Sequence, residues 1–189
     1  MSERKLDASY IALQSQLGAH AHARQAALRP GASTELLGGL GVPIGNVVKD
    51  RRKAIQEHFK RVGRQIRRQG FIDLVSAFEA DLFRLLRMAS SKVRHVLKVH
   101  YGPEFPFAAY REDLARTSAD FSNLGGYRRL LAVASGSRVD PRTDLWEVIA
   151  YRDFLAHGER WAVPANPPTI DFAYATLSKE IDRVETPGR

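Results

Sequence analysis

Apolar residues recur every three or four positions in six segments of the chain, and this period predicts α-helices. The segments cover residues 6–28, 49–70, 71–100, 110–134, 140–157 and 169–184. No segment alternates between apolar and polar residues for long enough to predict a β-sheet. The sequence therefore predicts an all-α fold, which we expect to be an antiparallel helical bundle.

The strongest helical pattern covers residues 71–100. At about 100° per residue its apolar side chains share one face. They are Phe71, Leu74, Val75, Phe78, Leu82, Leu85, Leu86, Ala89, Val93 and Val96. Gly102, Pro103 and Pro106 follow directly and predict the end of this helix.

The segment 29–46 interrupts the helical pattern with two prolines and five glycines. It is predicted to be a loop or linker and not a part of the core. It lacks the Gly-Lys-Ser/Thr ending of a phosphate-binding P-loop. We divide the chain into an N-terminal helical extension over residues 1–69, which includes this linker, and a helical bundle over residues 70–189.

Positive charge is concentrated in the segment 49–70, which carries nine Lys and Arg against two acidic residues, or 9 − 2 = +7. The whole chain has a formal charge of +8 and an isoelectric point near 10.0. A basic amphipathic helix of this kind is typical of a solvated helix docked on the body, of an RNA-backbone contact, or of a contact with an acidic protein. The candidate RNA contacts are Arg51, Arg52, Lys53, Lys60, Arg61, Arg64, Arg67 and Arg68.

The composition excludes several kinds of chemistry. The chain of 189 residues contains no cysteine, which rules out disulfides, thiolate metal sites and a cysteine nucleophile. The beginning of the chain has no apolar signal segment, and no run of apolar residues is long enough to span a membrane. We expect a cytoplasmic protein that binds no membrane, no metal and no cofactor.

An arginine interrupts the apolar face of the segment 140–157. Around an ideal helix, Val148, Ile149 and Arg152 all lie within about 60° of Leu145, so the arginine falls at the centre of the apolar face. An unpaired buried charge is costly, so the guanidinium is expected to contact a carboxylate, a subunit interface or a bound anion. Glu79 or Asp73 of the long helix is a candidate carboxylate in the purely structural alternative.

A histidine stands where the same helix is expected to end. Asp140 and Pro141 predict its beginning, and Gly158 predicts that it stops next to His157. The dipole at a helix C-terminus favours the imidazolium form, which suits proton transfer near neutral pH. On an ideal helix Arg152 and His157 are about 140° apart, so they converge only where the helix ends.

At these residues the sequence resembles the HEPN family, small all-α domains that carry an Arg-x(4–6)-His motif. The motif here is RDFLAH, Arg152 to His157, and FIDLVSAFEADLFRLLRMA is similar to the family's long first helix. The resemblance covers roughly residues 70–185. It implies a metal-independent endoribonuclease, often a toxin or phage-defence effector, whose active site forms between two protomers.

The resemblance also implies roles for individual residues. His157 would be the general acid or base, Arg152 would stabilise charge on the phosphate, and Asp153 would orient one of them, with Glu79 as possible polar support. Some members of the family are controlled by an antitoxin that modifies a tyrosine two residues after the histidine, but this chain has Glu159 there. The expected partners are RNA, a second copy of the chain and a cognate antitoxin or regulatory protein.

Two further functions fit the same residues. One is a non-catalytic RNA- or nucleotide-binding module of HEPN type, in which the basic surface binds without cleavage. The other is an interaction subunit in which Arg152 serves assembly. Replacement of His157 by alanine separates these functions from the ribonuclease.

Overall fold

A computed structural model describes residues 4–43, 50–101, 143–157 and 166–185. Its elements are α1 (Lys5–Ala27), α2 (Thr34–Gly39), α3 (Arg51–Tyr101), α4 (Thr143–Ala156) and α5 (Ile170–Glu185). These ranges contain no β-strand, which confirms the predicted all-α class. None of their helices is both long and apolar enough to cross a membrane. The predicted helix 110–134 and the expected cap residues Asp140, Pro141 and Gly158 lie outside the described residues.

Two helices that we predicted separately form one continuous helix, α3, of 51 residues. Our boundary between the segments 49–70 and 71–100 fell directly after Gly70, but this residue lies within the helix and packs against α1. A Cβ atom at this position would come within 2.2 Å of Leu13 Cδ1. The glycine therefore permits close helix packing. The boundary that we placed between residues 69 and 70 falls inside α3, and the division into two parts stays a prediction.

Helix α1 packs along α3 in the antiparallel direction. Near its beginning, the Leu6 backbone N–H donates to the buried carboxylate of Asp81, at 2.9 Å. Farther along, Leu13 faces Gly70, and His20 Nε2 lies 2.9 Å from the carbonyl oxygen of Phe59. Contact positions thus rise along α1 and fall along α3. Because the first N–H groups of a helix have no partner within it, Asp81 acts as a cap contributed by another helix.

The main core lies where α1, α3, α4 and α5 meet. Its buried side chains contact one another across all four helices. They are Leu6, Phe71, Leu74, Val75, Phe78, Leu82, Leu145, Val148, Ile149, Phe154, Leu155, Ala173, Leu177, Ile181 and Val184. Burial of this set supplies the hydrophobic free energy that holds the four helices together.

A smaller core lies at the other end of α1, and it corrects one of our predictions. Segment 29–46 was predicted to be a loop outside the core, but it contains α2, which begins at the N-cap Ser33. The Ser33 hydroxyl accepts the N–H of Leu36, a standard cap. The buried residues of the small core are Ala27, Leu37, Val42, Ile55 and Phe59. Because the segment is rich in glycine, we did not predict a helix there, but α2 buries Leu37, which is 1% exposed.

Helices α1 and α5 are joined by a reciprocal pair of tyrosines. The rings of Tyr10 and Tyr174 stack with centroids 3.9 Å apart. The Tyr10 hydroxyl donates to Asp171 at 2.8 Å, and the Tyr174 hydroxyl donates to Asp7 at 2.9 Å. Each helix thus contributes one phenol and one carboxylate. Arg4, before the beginning of α1, contacts Asp182 and Glu185 near the end of α5, whereas Tyr10, farther along α1, contacts Asp171 at the beginning of α5, so the two helices run antiparallel.

Candidate active site and arginine cleft

Helix α4 places Arg152 at the edge of the main core. Leu145, Val148, Ile149 and Leu155 are buried around it, as the helical spacing predicted. The side chain of Arg152 is 22% exposed. Most of this side chain is therefore covered by the bundle, and its guanidinium extends from α4 to Glu79 on α3.

Two carboxylates hold the Arg152 guanidinium. Nη2 donates to Glu79 Oε1 at 2.7 Å, and Nη1 lies 3.0 Å from Asp153 Oδ1. Glu79, which we named as possible polar support, thus contacts the motif arginine directly. Asp73, the other candidate carboxylate, instead accepts a hydrogen bond from Gln69 at 2.8 Å. The arrangement fixes the direction of the guanidinium and satisfies the purely structural alternative as well.

His157 directly follows the last residue of α4 and is exposed. Its backbone N–H donates to the carbonyl oxygen of Asp153 at 3.0 Å, so the last turn is closed at the histidine. The imidazole therefore stands at the negative end of the α4 dipole. This position is open to a substrate or to a second molecule.

All eight candidate RNA-binding residues lie on α3 and are exposed. The structure divides them into groups. Arg51 and Arg52 line a cavity of about 490 Å³ beside the end of α1, and Arg51 donates to the carbonyl oxygen of Ala32. Arg61, Arg64, Arg67 and Arg68 line a different cleft, whereas Lys53 and Lys60 belong to neither lining.

The second cleft, which we call the arginine cleft, has a volume of about 640 Å³ and lies between α1, α3, α4 and the beginning of α5. It is lined by Gln14, Leu17, Arg61, Arg64, Gln65, Arg67, Arg68, Phe71, Tyr151, Leu155, Pro168, Thr169, Ile170 and Asp171. Its four arginines were predicted from the sequence as RNA contacts, but the other lining residues were not predicted to belong to a site. The other walls come from helices far apart in sequence, and no local pattern marks them as neighbours.

One hydrogen bond connects the arginine cleft to the motif helix. Arg68 Nη2 donates to the carbonyl oxygen of Leu155 at 2.7 Å. Leu155 lies in the last turn of α4, two residues before His157. A cation bonded to one of the last carbonyl groups of a helix also interacts favourably with the helix dipole. The basic side of α3 therefore reaches the end of α4 where the motif histidine stands.

The beginning of α5 adds the partial positive charge of a helix N-terminus to the cleft. Thr169 precedes the helix, and its Oγ1 accepts the N–H of Phe172 at 3.1 Å. Asp171, in the first turn, accepts hydrogen bonds from Tyr10 at 2.8 Å and from Gln14 Nε2 at 2.9 Å. Its carboxylate is thereby held toward α1.

The described histidines form no metal site. His20 bonds the carbonyl oxygen of Phe59, so its Nε2 carries the hydrogen. Within 4–43, 50–101, 143–157 and 166–185, no group of three or more histidines or carboxylates is arranged to hold a metal ion.

No protein-family model, no curated protein and no solved structure matches the chain.

Proposed function

We propose that the chain is a metal-independent endoribonuclease of HEPN type that acts as a homodimer. The observation that carries the proposal is the Arg68 contact with Leu155, which brings the basic side of α3 to the end of α4. An RNA strand bound along the arginines would thus pass the exposed His157. The proposal includes the HEPN-like antiparallel bundle, a cytoplasmic setting and a role as a toxin or phage-defence effector.

The reaction in this proposal is transesterification within RNA. His157 takes the proton of a 2′-hydroxyl, and the resulting oxygen attacks the adjacent phosphorus. The bond from phosphorus to the 5′-oxygen breaks, and that oxygen receives a proton from the partner's histidine. The products are a 2′,3′-cyclic phosphate and a 5′-hydroxyl, and the scheme requires no metal.

Arg152 would stabilise the negative charge that builds up on the phosphoryl oxygens, a task for which its planar fork is suited. Glu79 and Asp153 support this role because their contacts at 2.7 and 3.0 Å fix the guanidinium before substrate binds. A dimer is part of the scheme because Arg152 and His157 of one ideal helix are about 140° apart. Two copies of α4 facing each other would place the arginine of one protomer near the histidine of the other.

The test is cleavage of a total RNA pool in excess EDTA, with analysis of the product ends. His157→Ala is expected to lower cleavage about 10²- to 10⁴-fold, the usual contribution of a general acid or base. His22→Ala is the matched control, since it removes another exposed histidine, on α1, and should leave cleavage intact. Arg152→Ala and the charge-conserving Arg152→Lys should both lose most activity, with circular dichroism checking the fold.

A second function is favoured by the Arg152 ion pairs themselves. An arginine held by Glu79 and Asp153 also fits a module that binds RNA or nucleotides without cleaving them. In that case the wild-type protein and the three motif variants would bind RNA with a steep salt dependence and leave it intact. Intact RNA after incubation with the folded wild-type dimer would replace the ribonuclease with this binding module.

A further inference from the structure

The arginine cleft has two walls of different chemistry. Four arginines of α3 line one side, with Phe71 beside them on the same helix, and the apolar wall consists of Leu17, Tyr151, Leu155 and Ile170 from the other helices. Among the described residues that line it, Asp171 is the single carboxylate, and it already accepts hydrogen bonds from Tyr10 and Gln14. The cleft thus combines a strongly positive side with an apolar wall.

The arginines of the cleft are spaced along α3 so that they can contact more than one anionic group. Around an ideal helix, Arg64 and Arg68 lie within about 60° of Arg61, so the three share one side of α3. They extend over about 10.5 Å along the helix, at about 1.5 Å per residue. Within the part of the chain that the structure describes, neither Arg61 nor Arg64 has an ion-pair partner. Such a row suits a linear polyanion better than a single phosphate.

The size of the cleft limits what enters it. Its volume of about 640 Å³ falls in the range of about 300–1,000 Å³ that is typical of sites for small ligands. A few nucleotides of a flexible strand fit such a space, whereas a stacked, base-paired helix is much larger than this volume. Unpaired bases also expose apolar faces, which a duplex keeps stacked inside.

We propose that the arginine cleft binds a single-stranded segment of RNA and selects single strands for the site at the end of α4. Arg61, Arg64 and Arg68 contact successive phosphates, and the bases lie against the apolar wall that contains Tyr151. The identity of the strand as RNA rests on the proposed function, but the preference for a single-stranded polyanion follows from the cleft. Helix α1 and the basic part of α3, which lie largely outside the HEPN resemblance, form much of this site.

The experiment measures binding by fluorescence anisotropy with the full-length His157→Ala protein, so that cleavage does not interfere. The probes are a short labelled single-stranded oligoribonucleotide and the same sequence in a duplex, titrated at several salt concentrations. Arg61→Gln/Arg64→Gln is compared with Arg24→Gln/Arg87→Gln. The second pair removes the same charge from exposed arginines on α1 and α3 outside the cleft.

We expect the single strand to bind at least about tenfold more tightly than the duplex, and the cleft variant to lose about tenfold in affinity for the single strand. At roughly 0.7 per phosphate, the loss of two contacts lowers the slope of log K against log salt by about 1.4. The control pair should change affinity and slope much less.

Equal losses in the two double variants would mean that RNA responds only to overall charge and would overturn the proposal. Equal affinity for duplex and single strand would overturn it too. The outcome is separable from the ribonuclease: a wild-type protein that leaves RNA intact but binds single strands in the cleft keeps this inference. Conversely, cleavage that is lost in His157→Ala, together with binding that is indifferent to Arg61 and Arg64, keeps the ribonuclease and removes the inference.

Discussion

Two parts of α3, a basic half over residues 51–70 and a core half over residues 71–82, differ in how much of their surface is covered by other helices. In residues 51–70, Ile55, Phe59, Gly63 and Gly70 are buried, and one narrow face packs on α1 and α2. In residues 71–82 the buried set is Phe71, Leu74, Val75, Phe78, Asp81 and Leu82, so three other helices cover that half. One helix therefore changes from a charged surface element to the main element of the core without a break.

The difference shows where the stability of the basic half comes from. Arginines three or four positions apart, such as Arg61, Arg64 and Arg68, repel one another by about 0.2–0.5 kcal/mol per pair. A free helix with this sequence would be weak, because tertiary packing supplies most helical stability in proteins. Continuity with residues 71–82 anchors the basic half. The arginines of the cleft consequently stand on a rigid support, as a binding site requires.

The largest effect is expected in the half that lies in the main core. Phe78 is 0% exposed, so Phe78→Ala should lower the free energy of unfolding by about 3–5 kcal/mol through lost burial and a cavity. Urea titration followed by circular dichroism measures the loss. If the alanine variant does not fold, Phe78→Leu is used in its place, and a smaller loss of unfolding free energy is expected. Ile11→Ala, at a position 63% exposed on α1, is the control and should stay within about 0.5 kcal/mol.

A smaller and local effect is expected in the small core, which packs on the half of α3 that carries the arginines. Leu37→Ala should cost about 2 kcal/mol, the low end for a buried leucine, because the small core has few members. Hydrogen exchange should rise in residues 34–43 and stay slow in residues 71–82. Equally faster exchange in both ranges would show that the two cores unfold as one unit, contrary to this expectation.

The junction between the halves depends on Gly70. Gly70→Ala forces a methyl group onto the buried side chain of Leu13, at 2.2 Å from its Cδ1. Overpacking outweighs the gain in helix propensity, and we expect a net loss of about 1–2 kcal/mol. Gly18→Ala on α1 is the matched control: nothing lies within 4 Å of its Cβ, so it should stabilise by about 0.5–1 kcal/mol. A lower melting temperature for Gly70→Ala and a higher one for Gly18→Ala would confirm that packing against Leu13 makes the substitution at Gly70 destabilising.

The smallest effect concerns the tyrosine pair that fastens α1 beside the second half of α3. Tyr10→Phe removes the hydrogen bond to Asp171 and should cost about 0.5–1.5 kcal/mol. Chemical denaturation at neutral pH measures this loss. A variant as stable as the wild type would show that ring stacking with Tyr174 suffices.

The same pair gives a dependence on alkaline pH. The hydrogen bond to Asp171 raises the pKa of Tyr10 above its ordinary value of 10.0, and burial followed by the hydrogen bond to Asp7 raises the pKa of Tyr174. The folded protein therefore holds these protons more tightly than the unfolded chain does. The stabilisation is complete below pH 10 and is lost as the pH rises through the folded pKa values. Tyr10→Phe should make that decline shallower.

The sequence predicted helix bounds best where the spacing of apolar residues within one helix is sufficient to define them. The last helix was predicted over 169–184 and is found at Ile170–Glu185, and the N-terminal helix over 6–28 is found at Lys5–Ala27. Apolar spacing alone was sufficient there, because one face of each helix is buried.

Predictions were incomplete where the role of a residue depends on contacts between segments that are distant in sequence. Gly70 has the local signature of a helix end, and only the approach of Leu13 gives it another role. Glu79 was expected to support the motif, but Asp73 was an equal candidate for Arg152 until the fold placed Glu79 at 2.7 Å. The arginine cleft joins four helices, so its arginines were predictable and its shape was not.

The contacts of α1 also determine when the packing of this helix is completed during synthesis. Asp81, which caps its first turn at Leu6, follows 75 residues later in the chain, and Asp171, the partner of Tyr10, follows 161 residues later. At about 5–20 residues per second, a ribosome needs roughly 8–32 s to make that second partner. During this interval α1 is present without its partners on α5. Assembly of the main core therefore follows the synthesis of α5, which completes the docking of α1.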